Sequence, residues 1–502
     1  MKRDRRTNLS VFLALLIGIG STSSGRGSEL DDLKAQMRVM QQTMDQMRQR
    51  LTELEKENQK QKQQPQQQVS TSRTTRAPAP PAEGPRGAPP ARDANGNAVV
   101  TLVPKPVTVE GHASEVTERG ALSDQQEAAP RPDDLTLDPK YRGFFPIPNT
   151  PVIIKLNAKP RVDFTDDPQN TGNPDRFVTA TIPVEGDFFK NGGNQFNVNA
   201  KGSQLSIDVR APEVPGNPRF YYQNDFFGSG GGDLSFRVRQ LWGQIYNLVL
   251  GQTFSVFEDP DAWPDTVDYE GPNSAVFARR PLARYQLVLN KNWQMNFGVE
   301  KPSAEVDTSI DPDAQNVNHA PDGGLNVRWE KKDVGHVQFG AIFRDIGVKG
   351  PIVGSQSTFG WGLNLAGAFD LTENDSIQAQ ATYGEGIFRY FNDDFQNNDA
   401  AFDRNNELTA IPAVGAMIGY THKWSDWLRS TASYGYVHLD NEFSQGPHAY
   451  HQTHYGSLNL VWKARKQLNV GLEALYGHKE EKSGADGDAF RIQLGVVYYI
   501  FE

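Results

Sequence analysis

Trp293-Gln294-Met295-Asn296-Phe297-Gly298-Val299-Glu300 sets large apolar side chains at odd positions and polar or small ones at even positions. A period of two is the mark of an extended strand with one apolar and one polar face. The same alternation recurs in both directions from this stretch. Upstream, Ser203, Leu205, Ile207 and Val209 alternate with Gln204, Ser206, Asp208 and Arg210. Downstream, Leu325, Val327 and Trp329 alternate with Asn326, Arg328 and Glu330, and Leu468, Val470, Leu472 and Ala474 with Asn469 and Glu473. Sixteen such runs are predicted, over 152–164, 201–210, 217–226, 233–246, 248–257, 280–290, 293–300, 323–331, 335–346, 358–369, 376–388, 409–423, 427–439, 451–463, 467–480 and 488–501.

The links between these runs differ systematically in length. Those at Asn247, 291–292, 332–334, 371–375, 424–426 and 464–466 are brief, whereas 165–200, 258–279, 301–322 and 389–408 are long. Short turns at one rim and long loops at the other characterise an outer-membrane barrel, and a soluble sandwich has no reason to sort its links this way. Aromatic residues mark many strand ends, among them Tyr221, Trp242, Tyr285, Trp293, Trp329, Tyr420, Trp427, Tyr455, Trp462 and Tyr498, as interfacial girdles require. The expected fold is all-β: a 16-stranded antiparallel transmembrane β-barrel over 143–502, with both ends of the barrel at the short-turn, periplasmic rim. Mean hydropathy is −0.60 and no apolar run approaches twenty residues, which excludes helical spans but not strands whose two faces average out.

The first 142 residues read differently. Lys2, Arg3, Arg5 and Arg6 precede an apolar stretch from Val11 to Ile19, the pattern of an export signal over 1–25. Leu30, Leu33, Met37, Met40, Met44, Met47, Leu51, Leu54 and Asn58 are spaced alternately by three and four, which predicts an α-helical coiled coil over 29–58. Glutamine then dominates 61–68 and proline with alanine 78–90, so 59–140 is expected to be a disordered linker too poor in apolar area to offset its ordering entropy.

The 502 residues hold no cysteine, so thiol catalysis, disulfides and thiolate metal sites are excluded. A formal net charge of −10 argues against nucleic acid as a partner. No phosphate-cradling glycine motif is present, no cofactor is implied and no metal site is expected. His438, His448, His451 and His454 cluster near one link; His451 and His454 would point to opposite faces of a strand, so they are read as a solvated loop.

Sixteen strands leave a water-filled lumen. On the polar faces lie Arg210, Arg237, Arg239, Arg284, Arg328, Arg344 and Arg491, against fewer acids, including Glu300 and Glu330. The expectation is a locally basic lumen that favours anions. The link 258–279 runs Glu258-Asp259-Pro260-Asp261-Ala262-Trp263-Pro264-Asp265, continues through Asp268-Tyr269-Glu270, and ends in Arg279 and Arg280. Folded inward, it would set carboxylate acceptors against forked guanidinium donors across the channel. Asp259 and Asp261 as a glycosidase pair are the weaker reading.

Gly251-Gln252-Thr253-Phe254-Ser255-Val256-Phe257-Glu258-Asp259, followed by Gly271-Pro272, Arg279-Arg280-Pro281, Arg284-Tyr285 and Val299-Glu300-Lys301-Pro302, resembles the DcaP-like outer-membrane porins. So does Gly143-Phe144-Phe145-Pro146-Ile147-Pro148. The resemblance is densest over 143–302. It implies a homotrimeric porin that passes small anions such as dicarboxylates, with Arg279, Arg280 and Arg284 at the constriction and Arg237 and Arg239 on the neighbouring wall. The expected function is therefore passive diffusion of small anionic, carboxylate-type solutes through the outer membrane, without enzymatic chemistry. A second reading is a tether in which the periplasmic coiled coil reaches peptidoglycan. A third is a secreted, soluble glycan-binding β protein.

Overall fold

The computed structural model describes residues 143–500, apart from 191, 230–232 and 394–396. The expected signal, coiled coil and linker lie outside the described residues. Strands run in chain order as β1 (Phe145–Pro146), β2 (Ile153–Lys159), β3 (Arg161–Asp167), β4 (Gln195–Asn199), β5 (Gln204–Arg210), β6 (Arg219–Asp225), β7 (Arg237–Ile245) and β8 (Leu248–Phe254). They continue as β9 (Arg279–Val288), β10 (Trp293–Glu300), β11 (Gln315–Val317), β12 (Asp322–Lys331), β13 (Gly335–Gly350), β14 (Gly354–Asp370) and β15 (Asp375–Glu385). The remainder are β16 (Ala400–Phe402), β17 (Leu408–Ala410), β18 (Pro412–Ser425), β19 (Leu428–Leu439), β20 (Tyr450–Arg465), β21 (Leu468–Glu481) and β22 (Asp486–Tyr498).

Twenty of the twenty-two strands form one sheet, and β16 with β17 makes a separate hairpin. Strand pairing is antiparallel throughout and follows chain order except where links intervene: β2 pairs with β5 and β3 with β4, β10 with β12, β15 with β18, and β22 returns to pair with β3, Gly495 opposite Asp163. The sheet thus closes on itself and leaves no free edge. Sequence periodicity counted sixteen runs. The larger number arises where the ladder breaks or where links acquire short strands. Pro160 has no N–H to donate and separates β2 from β3; β4 lies in the link expected over 165–200, β1 is a two-residue piece ahead of β2, and β11, β16 and β17 are three-residue pieces of the links. The 13–14 hairpin also runs further than periodicity implied, to Gly350 opposite Gly354, because residues 347–357 pair without alternating.

Burial decides how the sheet is used. Leu205, Leu250, Phe297, Phe339, Leu365, Ile418, Leu458 and Leu472 are all exposed, Leu458 by 61%. Their strand neighbours of opposite parity, among them Gln204, Asn296, Gln338, Asn364, Asn459 and Glu473, are buried. Apolar outside and polar inside reverses the arrangement of a water-soluble protein and fits a wall set in lipid. Trp427 and Trp462 stand outward near the short-turn rim, and Tyr434 and Tyr476 outward toward the other. Tyr221, Trp242 and Tyr455 do not join these girdles: they face inward and are buried, Trp242 beneath the Arg219 guanidinium 5.3 Å from its ring.

At the rim of the long links a second kind of core appears. Ala304, Val306, Ile346, Val348, Val353, Ala400, Phe402 and Leu408 pack together in a cap of ordinary apolar character. Beneath it, Phe257, Val276, Ile342, Phe388, Phe391 and Tyr450 form a further buried cluster inside the ring of strands.

Candidate functional site

Residues 255–278 leave β8 at Phe254 and rejoin the sheet at Arg279. Between these points the chain crosses the interior. Its base is fastened where Ser255 Oγ donates to Glu300 at 2.9 Å and Glu258 accepts from the Ala278 N–H at 2.9 Å. Asp259 caps the single turn Pro260–Ala262. Amide side chains of the inner wall then donate to the loop's carbonyls: Asn326 to Val256 (2.6 Å), Gln338 to Glu258 (2.8 Å), Asn364 to Phe257 (3.1 Å), Gln380 to Ser274 (2.9 Å) and Asn459 to Asp265 (2.6 Å). Arg161, on the far side of the closure, donates to Val267 at 2.5 Å. A loop buried among polar walls needs these donors, because each unpaired carbonyl would be costly. Gly419 lets it approach: a Cβ there would lie 2.6 Å from Pro264.

The charged residues fall into separate groups. On the first, Arg237 (2.6 Å), Arg239 (3.2 Å) and the Tyr269 hydroxyl (2.6 Å) all donate to Asp225, and Arg239 also donates to the Tyr269 hydroxyl. On the second, Arg328 bridges Asp259 (2.9 Å), Asp261 (3.0 Å) and Glu330 (3.0 Å), while His336 Nε2 lies 3.0 Å from Asp259. On the third, Arg344 meets Asp322 (3.2 Å) and Asp399 (2.9 Å), and the Tyr390 hydroxyl donates to Glu300 and Asp322. Arg491 holds Asp167, Thr171 and the Asn173 carbonyl, which anchors the 168–194 link. Arg210 and Arg219 share Asp208.

The expectation of a locally basic lumen does not hold at these arginines. Arg210, Arg237, Arg239, Arg328, Arg344 and Arg491 each have a carboxylate partner, so their charge is spent within the wall. Loop acids are engaged too: Asp265 by Arg429 at 2.5 Å and Glu270 by Arg176 at 2.8 Å. Burial pushes the Glu258 carboxyl well above the usual carboxylate range. Asp268 is pushed up to about 6, again chiefly by burial, although Arg491 draws it down.

The exceptions lie on β9. Arg280 sits 3.8 Å from Glu300, beyond hydrogen-bond reach, and stacks 4.7 Å from the Tyr390 ring. Arg284 has no ion-pair partner among the described residues, and its buried Nε donates to no protein acceptor there; Arg280 Nε and both polar atoms of Gln286 are likewise unsatisfied. Positions 280, 284 and 286 share one face of the strand. Arg279, the first residue of the strand, lies over the Phe277 ring at 4.5 Å.

Asp225, Tyr269, Tyr390, Asp322 and Asp399 were missed as site residues by sequence reasoning. Asp225 was recoverable: it pairs in register with Arg237 across the 6–7 hairpin. Tyr390, Asp399 and Tyr269 sit in links, where periodicity says nothing. The histidines also need correction: His438 lies in β19 and His451 and His454 in β20, with only His448 in the link between.

A family model described as DcaP outer membrane protein matches residues 125–500. The chain belongs to the DcaP outer membrane protein family. Among solved structures, the outer membrane channel DcaP of Acinetobacter baumannii superposes with a TM-score of 0.64 at 19% identity, over 71% of this chain and 99% of that one. An anion-selective porin from Comamonas acidovorans follows with a TM-score of 0.49 at 12% identity, over 70% and 100%. No curated protein matches significantly. DcaP-family membership agrees with the outward apolar face and gives the barrel its membrane, the outer one.

Proposed function

We propose that this chain is a porin: a passive channel through which small polar, anionic solutes of the carboxylate class cross the outer membrane, with no enzymatic step. The observation that carries the reading is the row of donors on β9. Arg280, Arg284 and Gln286 hold buried N–H groups that no protein acceptor meets among the described residues, beside a loop that crosses the interior. Water or a passing carboxylate satisfies such donors, and a guanidinium matches a carboxylate in two-point geometry. Arg279, Arg280 and Arg284 then form the basic side of the constriction. Glu258, Asp259, Asp261, Asp265, Asp268 and Glu270 belong to the loop that narrows it, while Arg237 and Arg239 brace that loop through Asp225 and Tyr269.

In this reading the strand pieces merge into sixteen crossings, β2 with β3 and β4 with β5 as single spans. The chain assembles as a homotrimer, and the coiled coil of 29–58 lies in the periplasm. Single-channel recording in a salt gradient tests the function. Anion-favouring reversal potentials are expected, reduced when Arg279, Arg280 and Arg284 are replaced by Ala; cation selectivity in the parent protein would refute the reading.

A further inference from the structure

The outer face of β19 to β22 carries chemistry that solute diffusion does not use. Register sets Tyr436 opposite His454, His454 opposite His478, and His478 opposite Asp488, in one row across four strands. The adjoining row is His438, Gln452, Glu480 and Asp486. Both lie beyond the outward Tyr434 and Tyr476, on the long-link side of the apolar band. Four of the chain's nine histidines, His438, His451, His454 and His478, fall on this patch, a concentration that lipid contact does not require.

We propose that His478, Asp486 and Asp488 form a divalent-metal site on the outer surface of the barrel. One ligand atom from each lies within 4.8 Å of the others, and His478 Nδ1 already stands 3.0 Å from Asp488 Oδ1. Asp488 also accepts from the Tyr476 hydroxyl at 2.5 Å, the kind of outer contact that fixes a ligating carboxylate. His454 is the neighbouring imidazole, 5.7 Å away between ring centres, its Nδ1 2.6 Å from the Tyr434 hydroxyl. Lys190 is the nearby cation; its ammonium donates to the Asp486 carbonyl and faces Glu185 at 3.7 Å, leaving the carboxylates as the acceptors. One imidazole with two carboxylates suits zinc-like cations over calcium or magnesium, which prefer all-oxygen shells. The inner group Asp259, Asp261 and His336 has similar spacing, but the Arg328 guanidinium already occupies both of its carboxylates.

The test uses full-length protein without an affinity tag, stripped of metal and titrated with zinc chloride in detergent by calorimetry. One zinc per chain is expected, weakened about tenfold or more in His478→Ala and in Asp488→Asn, and unchanged in His336→Ala. Calcium should give no comparable binding. Absence of stoichiometric zinc binding, binding that survives both outer substitutions, binding lost in His336→Ala, or equal affinity for calcium would each overturn the site. Heat-modifiable gel mobility identifies folded variants, and Asp486→Asn supplies a second arm should His478→Ala not fold.

Discussion

Arg328 and Arg284 occupy inner-face positions on two strands of the same wall, separated by β10, and they live opposite lives. Arg328 is saturated by three carboxylates and pins the crossing loop through two of them. Arg284 has no ion-pair partner among the described residues and leaves a buried donor unmet. Residue type and inward orientation are alike, so neither tells the two apart; the partner does. A carboxylate-paired arginine presents only a weak, short-range field, whereas one with no ion-pair partner keeps most of its charge.

The contrast breaks most visibly at Arg328. Arg328→Ala strands Asp259 and Asp261 in the interior and should cost about 3–5 kcal/mol, read as a fall in the urea midpoint of the gel-mobility shift. A cost below about 1 kcal/mol would erase the distinction from a surface pair. Gly419→Val drives a side chain into Pro264 and should cost about 1–3 kcal/mol; single-channel conductance should change with it, because the loop is displaced. Asp268 sharpens the comparison by pH. Its carboxyl is held above its unfolded value, so the folded protein binds more protons there between about pH 4 and 6. Stability should fall as pH rises through that window and level off above it, and Asp268→Asn should flatten the slope in urea midpoints. The smallest effect on stability belongs to Arg284→Ala, about 1 kcal/mol or less, since no ion pair is broken. Its reversal potential should nonetheless move toward cations, and a stability loss as large as that of Arg328→Ala would show that the two arginines serve alike.

Strand alternation made the barrel legible because each strand has lipid on one side and polar groups on the other. Trp293 to Glu300 and Leu468 to Ala474 carry the whole argument in their own residues. The site was legible only in part. The loop acids and the β9 arginines announce themselves by composition, but their pairing depends on tertiary contacts: Arg429 reaches Asp265 from 164 residues away. Parity placed Arg344 on the inner face correctly, and nothing local told of Asp399, which lies in a link. Several acids that neutralise the wall arginines, Asp225, Asp322 and Asp399, stand at strand ends or in links, where alternation is blind.

The apolar cap at the long-link rim ties distant parts of the chain together. Val306, Val348, Phe402 and Leu408 come from three separate stretches of chain, the link before β11, the far end of β13 and the β16–β17 hairpin, where Phe402 and Leu408 face each other. The cap is therefore a property of the closed ring: no single hairpin carries enough of it to bury its own share.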